Sequence, residues 1–235
     1  MVLRFSLVGQ FAISLAGTPV DTAGLGRTGR LAFAYLVSER HRPVARDELA
    51  DVVWGEDVPR SWETALRGLI SKIRSVMSGA GLPPGTLVTA FGCYQLALPA
   101  GTEVDAEMAT AAVAEAEGAL ARGEPAPALE RARAAAEVAA RQFLVGSAGH
   151  WVERRQAEVR EVHLRALELI SEAAAAMGEW SEAVAAAEQA IVLEPFREPA
   201  HLRLMAAHAG AGNRAAALRA YERCRAVLAD QLGAD

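Results

Sequence analysis

The chain has 235 residues, 52% of them hydrophobic and 23% charged, with a formal net charge of −5. That length suits two domains, and that composition belongs to an ordinary globular protein rather than a disordered one. No stretch reaches the roughly 18 uninterrupted apolar residues of a membrane span, and the first ten residues alternate like a strand instead of forming a basic and then apolar leader, so a cytoplasmic protein with no membrane partner is expected.

Cys93 and Cys224 are the only cysteines, and they are too few for a disulfide framework or a four-ligand zinc site. Charge is unevenly distributed. Residues 1–98 carry ten Lys or Arg against eight Asp or Glu, a balance of +2, whereas residues 99–235 carry fourteen against twenty-one, a balance of −7. A mildly basic head precedes an acidic body.

Leu3 to Val8 and Phe11 to Leu15 are extended segments separated by Gly9-Gln10, and Gly17-Thr18-Pro19 turns the chain into a third short piece, which together predict a small antiparallel sheet. Thr28 can cap a helix carrying Leu31, Tyr35 and Leu36. A second helix with Leu49, Val52 and Val53 inward ends at Gly55. After the loop at Asp57, Pro59 and Arg60, Ser61 can cap a longer helix reaching Met77, with Leu66, Ile70, Ile73 and Met77 forming its inward stripe. Leu87 to Ala90 and Tyr94 to Leu98, with Phe91-Gly92-Cys93 between them, predict a closing hairpin.

Beyond Pro99 the sequence becomes rich in Ala, Glu, Arg and Leu, broken near 123–127, 146–149, Gly178, Pro195, Pro199 and 210–213, as expected of antiparallel helices. The segment beginning Gly178-Glu179-Trp180 aligns with Gly212-Asn213-Arg214 at an offset of 34, the tetratricopeptide period. Ala183 and Ala217 occupy the small position, and Ala187 and Tyr221 the bulkier one. A third copy is expected around Arg122 to Val138, where Gly123-Glu124 resembles Gly178-Glu179, but its offset of 55 is not a multiple of 34, so the array is degenerate. The predicted fold is an α+β winged helix-turn-helix domain over residues 1–98 followed by an all-α tetratricopeptide-like helical repeat domain over residues 103–235.

No catalytic pattern is present. The sequence lacks a phosphate loop ending in Gly-Lys-Ser/Thr, a Gly-x-Ser-x-Gly elbow and a His-Glu-x-x-His zinc motif. The five histidines include no pair at ligand spacing, since His201 and His208 are two turns apart. Neither enzyme activity, a metal nor a cofactor is expected.

The helix from Ser61 to Met77 is more informative. With its core stripe turned inward, Thr64, Gly68, Ser71 and Ser75 fall on the opposite side, flanked by Arg67, Lys72 and Arg74. A helix entering a DNA major groove needs small or hydrogen-bonding residues along its leading edge and cations beside them for phosphates. Any solvated helix face also exposes polar side chains. Two details point past that plainer reading. Gly68 costs about 1 kcal/mol relative to Ala inside a helix, and no Asp or Glu occurs between Thr64 and Met77.

Taken in order, Val44 to Gly55 (VARDELADVVWG), Pro59-Arg60-Ser61 leading into Leu66 to Arg74 (LRGLISKIR), and Phe91-Gly92-Cys93-Tyr94-Gln95-Leu96 resemble the Streptomyces antibiotic regulatory proteins. That family joins a winged helix of the response-regulator type (the OmpR and PhoB class) to a bacterial transcriptional activation domain. The resemblance implies that Thr64, Arg67, Gly68, Ser71, Lys72, Arg74 and Ser75 contact DNA, and that the wing, with Phe91, Gly92 and Tyr94, reaches the adjacent minor groove. It implies a homodimer on promoter direct repeats of double-stranded DNA, a loop from Trp54 to Arg60 facing RNA polymerase with its sigma and alpha subunits as partners, and control of an antibiotic gene cluster from the nucleoid. The chain departs from the family pattern at Ala90 and Phe91, where a basic residue is common, and at Ala45, where a capping Ser or Thr is common. The alternative reading is a tetratricopeptide-like interaction or adaptor protein. The close at Leu232-Gly233-Ala234-Asp235, where relatives continue, suggests a truncated chain or the head of a larger multidomain regulator.

Overall fold

The computed structural model describes residues 2–232, so the expectation attached to Gly233, Ala234 and Asp235 lies outside the described residues. The chain divides into two compact units. The first runs to Ala106 and also takes in Arg141–Ala157; the second comprises Glu107–Ala140 and the chain from Glu158 onward.

The first unit opens with strands β1 (Leu3–Ser6), β2 (Ala12–Leu15) and β3 (Thr18–Pro19), joined as an antiparallel meander. Alternation along β1 puts Leu3 and Phe5 into the core and Arg4 outside. Three helices follow: α1 (Gly26–Ser38), α2 (Arg46–Trp54) and α3 (Trp62–Gly79). Thr28 is not a cap, because α1 begins two residues earlier, directly after a 3-10 turn at Ala23–Leu25. Strand β4 (Val44–Ala45), which precedes α2, pairs with β6 (Cys93–Leu96), and β6 pairs with β5 (Leu87–Ala90), giving a three-stranded sheet of order β4-β6-β5. The edge-to-face pair Phe5–Phe33, with ring centroids 5.5 Å apart, joins the first sheet to α1.

Strand β7 (Glu103–Val104) adds to the first sheet parallel to β1, completing the order β3-β2-β1-β7. The next residue, Asp105, turns its carboxylate back on β1 and accepts hydrogen bonds from the N–H groups of Leu7 (2.8 Å) and Val8 (3.0 Å). Residues 141–157 also close on this unit. Phe143 bridges Val8, the Leu144 N–H donates to the Leu7 carbonyl, and the Gly9 N–H donates to the Gln142 carbonyl. Phe143 stacks edge-on against Trp151, and Trp151 in turn against Tyr35 of α1.

The second unit is built from α4 (Asp105–Ala121), α5 (Pro125–Ala139), α6 (His150–Ala176), α7 (Trp180–Leu193), α8 (Glu198–Gly210) and α9 (Arg214–Leu232), the first two residues of α4 and the first turns of α6 lying in the first unit. Alanines line most of its core, among them Ala116, Ala128, Ala132, Ala173, Ala183 and Ala190, around Leu129, Leu164, Leu167 and Ile170. Such small side chains let helices approach closely. Within the same unit Glu168 is 2% exposed and is held by Arg165 and Arg197. His201 is also buried and bonds the Pro195 carbonyl at 2.8 Å.

The repeat is clearer in the backbone than in the sequence. Gly123, Gly178 and Gly212 all take left-handed φ (74°, 79° and 75°). Each is followed by the same closing bond, from the next residue's N–H to the carbonyl five back: Glu124 to Ala119, Glu179 to Ala174, and Asn213 to His208. Three helical hairpins therefore share one helix-ending turn. The 55-residue step, 21 longer than 34, arises mainly because α6 has 27 residues where α8 has 13. Tyr221, aligned with the buried Ala187, is half exposed, and among the described residues of α9 the buried ones are Ala216 and Ala220.

Replacing Asp105 by Ala leaves the N–H groups of Leu7 and Val8 without their acceptor. Orphaned buried donors cost about 1–3 kcal/mol each, so urea unfolding of D105A is expected to show a loss of about 2 kcal/mol or more. A loss below about 0.5 kcal/mol, the range of ordinary surface changes, would show that this carboxylate does not hold β1.

Candidate nucleic-acid interface

Helix α3 buries Leu66, Ile70, Ile73 and Met77 and leaves Thr64, Arg67, Gly68, Ser71, Lys72, Arg74 and Ser75 exposed, the division expected from its periodicity. Ser61 stands at the cap position but makes no capping hydrogen bond through its side chain. A Cβ built on Gly68 would meet nothing within 4 Å, and Gly68 has no left-handed φ. Neither packing nor backbone geometry in the fold requires a glycine there.

The three cations differ in their surroundings. Arg67 folds back along the helix, donating to the Glu63 carbonyl at 3.2 Å and lying 3.8 Å from the Glu63 carboxylate, with both side chains two-thirds exposed. Such a pair contributes little and is easily exchanged for a phosphate. Lys72 and Ser75 border a groove of about 300 Å³ that is completed by Val20, Asp21 and Gly24. Arg74 is committed within the fold: its Nη2 donates to the Leu87 carbonyl (3.2 Å) and to Thr89 Oγ1 (2.7 Å). It therefore fixes the β5–β6 hairpin to α3, a role that sequence reading missed because the partners lie 13 and 15 residues away with no local pattern to mark them.

The hairpin turns through Phe91 (φ 49°) and Gly92 (φ 76°), a two-residue turn with both residues left-handed. Left-handed φ is unusual for a bulky residue, yet the Phe91 ring is fully exposed and packs on nothing. Tyr94 does not reach the surface as expected. It is 2% exposed and lies beneath the Arg46 guanidinium, 5.8 Å from the ring centroid, because β6 is the central strand and turns alternate residues inward. The Arg46 N–H also donates to the Gly92 carbonyl, fastening the start of α2 to the wing turn.

The α2 start is held from its other side as well. Glu48 accepts from the Tyr35 hydroxyl (2.5 Å) and from both terminal nitrogens of Arg42 (2.5 and 3.0 Å). Arg42 holds the Glu48 carboxyl below its ordinary value of 4.5, while burial and the acidic partner push the Tyr35 hydroxyl up to about 12.

Among the described residues no group of His, Cys, Asp and Glu could hold a metal ion, and no helix is long and apolar enough to cross a membrane. Both cysteines are free, and burial raises the Cys224 thiol above its usual range.

The first unit thus presents an exposed, acid-free face of α3 beside a two-stranded wing, and the second is a run of repeated helical hairpins. The chain belongs to the bacterial transcriptional activator domain family, which matches residues 104–235, and to the Streptomyces antibiotic regulatory protein type. It is similar to the transcriptional regulatory protein EmbR of Mycobacterium tuberculosis, with 29% identity over 99% of this chain and 60% of that protein. It is also 29% identical to the regulatory protein AfsR of Streptomyces coelicolor, over 99% of this chain and 23% of AfsR. The solved structure of Mycobacterium tuberculosis EmbR in complex with a low-affinity phosphopeptide superposes with a TM-score of 0.90 at 30% identity, over 99% of this chain and 61% of that one. The chain thus spans about three fifths of EmbR and under a quarter of AfsR. Both relatives carry the names of regulatory proteins.

The depressed Glu48 carboxyl fixes the sign of one pH effect. Its stabilising contribution is present above its unfolded value near 4.5 and is lost as pH falls through the lower folded value. Acid unfolding followed by circular dichroism should therefore be less steep in Glu48→Gln than in the parent below that pH. Identical acid limbs would show that the Tyr35–Glu48–Arg42 cluster does not contribute.

Proposed function

We propose that this chain is the DNA-reading and activating portion of a sequence-specific transcriptional activator. Helix α3 enters the major groove of double-stranded DNA, with Thr64, Gly68, Ser71 and Ser75 along the base edges and Arg67 and Lys72 on the phosphates. Arg74 holds the β5–β6 wing in register, and Phe91-Gly92 at its tip lies against the neighbouring minor groove. Two protomers occupy promoter direct repeats at the nucleoid, the loop from Trp54 to Arg60 meets the sigma or alpha subunits of RNA polymerase, and the regulated genes form a secondary-metabolite cluster. The observation that carries the reading is Gly68: it weakens the helix, the fold does not need it, and its open side lies in the middle of the acid-free strip.

Exposed apolar side chains on α7, α8 and α9, including Val192, Leu202 and Leu218, favour a second role for the repeat domain in holding a protein partner. That role is compatible with the first when the partner is the transcription machinery.

Gly68→Ala should raise the unfolding free energy by about 0.5–1 kcal/mol and weaken retardation of a promoter fragment. Gly68→Leu should fold and fail to bind. Full DNA affinity in Gly68→Leu would sink the groove placement. Removing Arg67 and Lys72 together should lower affinity on all sequences and reduce the salt slope by about 2, one for each phosphate contact. An unchanged slope would remove both from the interface. At the wing tip, Phe91→Asn suits the left-handed turn better, so it should stabilise the hairpin while weakening DNA binding. Equal affinity in that variant would free the wing from any DNA role.

A further inference from the structure

The unit that carries α3 also contains a cavity of about 710 Å³ that the DNA-binding reading leaves unused. Its walls come from the β1–β2 turn, the first turns of α1 and the connection between α5 and α6. Arg27, Arg30 and Arg141 line it, and no carboxylate does. Among the described residues none of these three arginines forms an ion pair. Asp105, whose charge Arg141 feels, already accepts three backbone N–H bonds, from Leu7, Val8 and Ala106. The Arg30 Nε is buried with no hydrogen-bond partner, an arrangement that calls for an acceptor.

The remaining wall has an apolar part, formed by Phe11, Leu144 and Val145, and is completed by Gln10, Gln142, Ser147 and glycines. Leu144 holds a left-handed φ of 45°, a state that bulky residues avoid, and is pinned there by its bond to the Leu7 carbonyl. The Gly9 N–H bond to Gln142 fixes the opposite side of the same turn. The cavity is therefore framed by the backbone, and its volume lies within the roughly 300–1,000 Å³ of small-molecule sites.

We infer that this cavity binds a small organic anion, a carboxylate- or phosphate-bearing molecule with an apolar body, whose charged end meets Arg30 and Arg141 and whose body lies on Phe11 and Leu144. A DNA backbone offers the charge but nothing to cover the apolar wall. A Cβ placed on Gly29, in the same part of α1, would come within 3.9 Å of Leu69 of α3, so an occupant is placed to bias the α3 face. That last consequence rests on the DNA-binding reading, whereas occupancy of the cavity does not.

The amphiphilic anion 8-anilinonaphthalene-1-sulfonate tests the site on the intact chain. Its fluorescence should saturate at one equivalent, and Arg30→Gln combined with Arg141→Gln should weaken binding about tenfold or more, the effect of losing charge-assisted bonds. Far-UV circular dichroism checks the fold, and Arg27→Gln, at an exposed position, supplies a gentler variant whose weaker binding points the same way. The uncharged analogue N-phenyl-1-naphthylamine should bind much more weakly. Absence of saturable binding, equal affinity in all the arginine variants, or equal affinity for the uncharged dye would overturn the proposal. Displacement of the dye by a short DNA duplex would also overturn it, by assigning the arginines to phosphate contacts; failure to retard DNA would leave the dye result unaffected.

Discussion

The first unit depends on how the end of β1 is satisfied. The N–H groups of Leu7 and Val8 go to the Asp105 carboxylate, the Leu7 carbonyl receives the Leu144 N–H, and the Gly9 N–H reaches the Gln142 carbonyl. All of these partners come from segments roughly a hundred or more residues downstream. Buried backbone polar groups must be paired, so the end of the opening strand is satisfied only by chain that lies, in sequence, beyond the three helices and the wing. The cost of burying Asp105 is visible in its carboxyl, which desolvation pushes above the ordinary range even though three N–H groups and Arg141 pull the other way. The structure accepts that penalty at the point where three separated stretches of chain meet.

The wing and the helices around it are tied into the same unit by specific contacts. Helix α1 is held on one side by Phe5 and Phe11 and on another by the Tyr35–Trp151 contact. Helix α2 is fastened by Glu48 to Arg42 and by the Arg46 N–H to the wing turn. Helix α3 is fastened to β5 through Arg74. An exposed reading surface keeps its geometry only when such bonds, rather than its own face, fix the rotamers and register.

Periodicity made the helices and the split between the inner and outer faces of α3 legible in the sequence, because a 3.6-residue repeat is a local property. The β5–β6 hairpin was legible for the same reason. The return of 141–157 to the first unit was not, although Phe143 and Trp151 are conspicuous in an otherwise alanine-rich stretch: nothing local says which surface an aromatic side chain will cover. The two-residue β4 and β7 escaped notice because strands so short have no period to detect and exist only through their partners β6 and β1. The first repeat was disguised by the length of α6, since a sequence offset cannot distinguish a missing repeat from an intact one with a longer helix. The common turn at Gly123, Gly178 and Gly212 resolves this, because it depends on a backbone bond rather than on spacing.

Arg74 and Gly68 show how structure divides residues that sequence grouped together. Both lie on the outer side of one helix and both fit a DNA-facing pattern. Arg74 gives its hydrogen bonds to Leu87 and Thr89, so its loss would first be felt by the wing. Gly68 gives the fold nothing: it has no close neighbour, no left-handed backbone and a lower helix propensity than almost any replacement. A residue that contributes to stability needs no further explanation, whereas one that subtracts from it and is retained in the middle of an exposed strip is best explained by what the surface must admit. The strip around Gly68 is therefore better evidence for a partner than the cations beside it, which any solvated helix could carry.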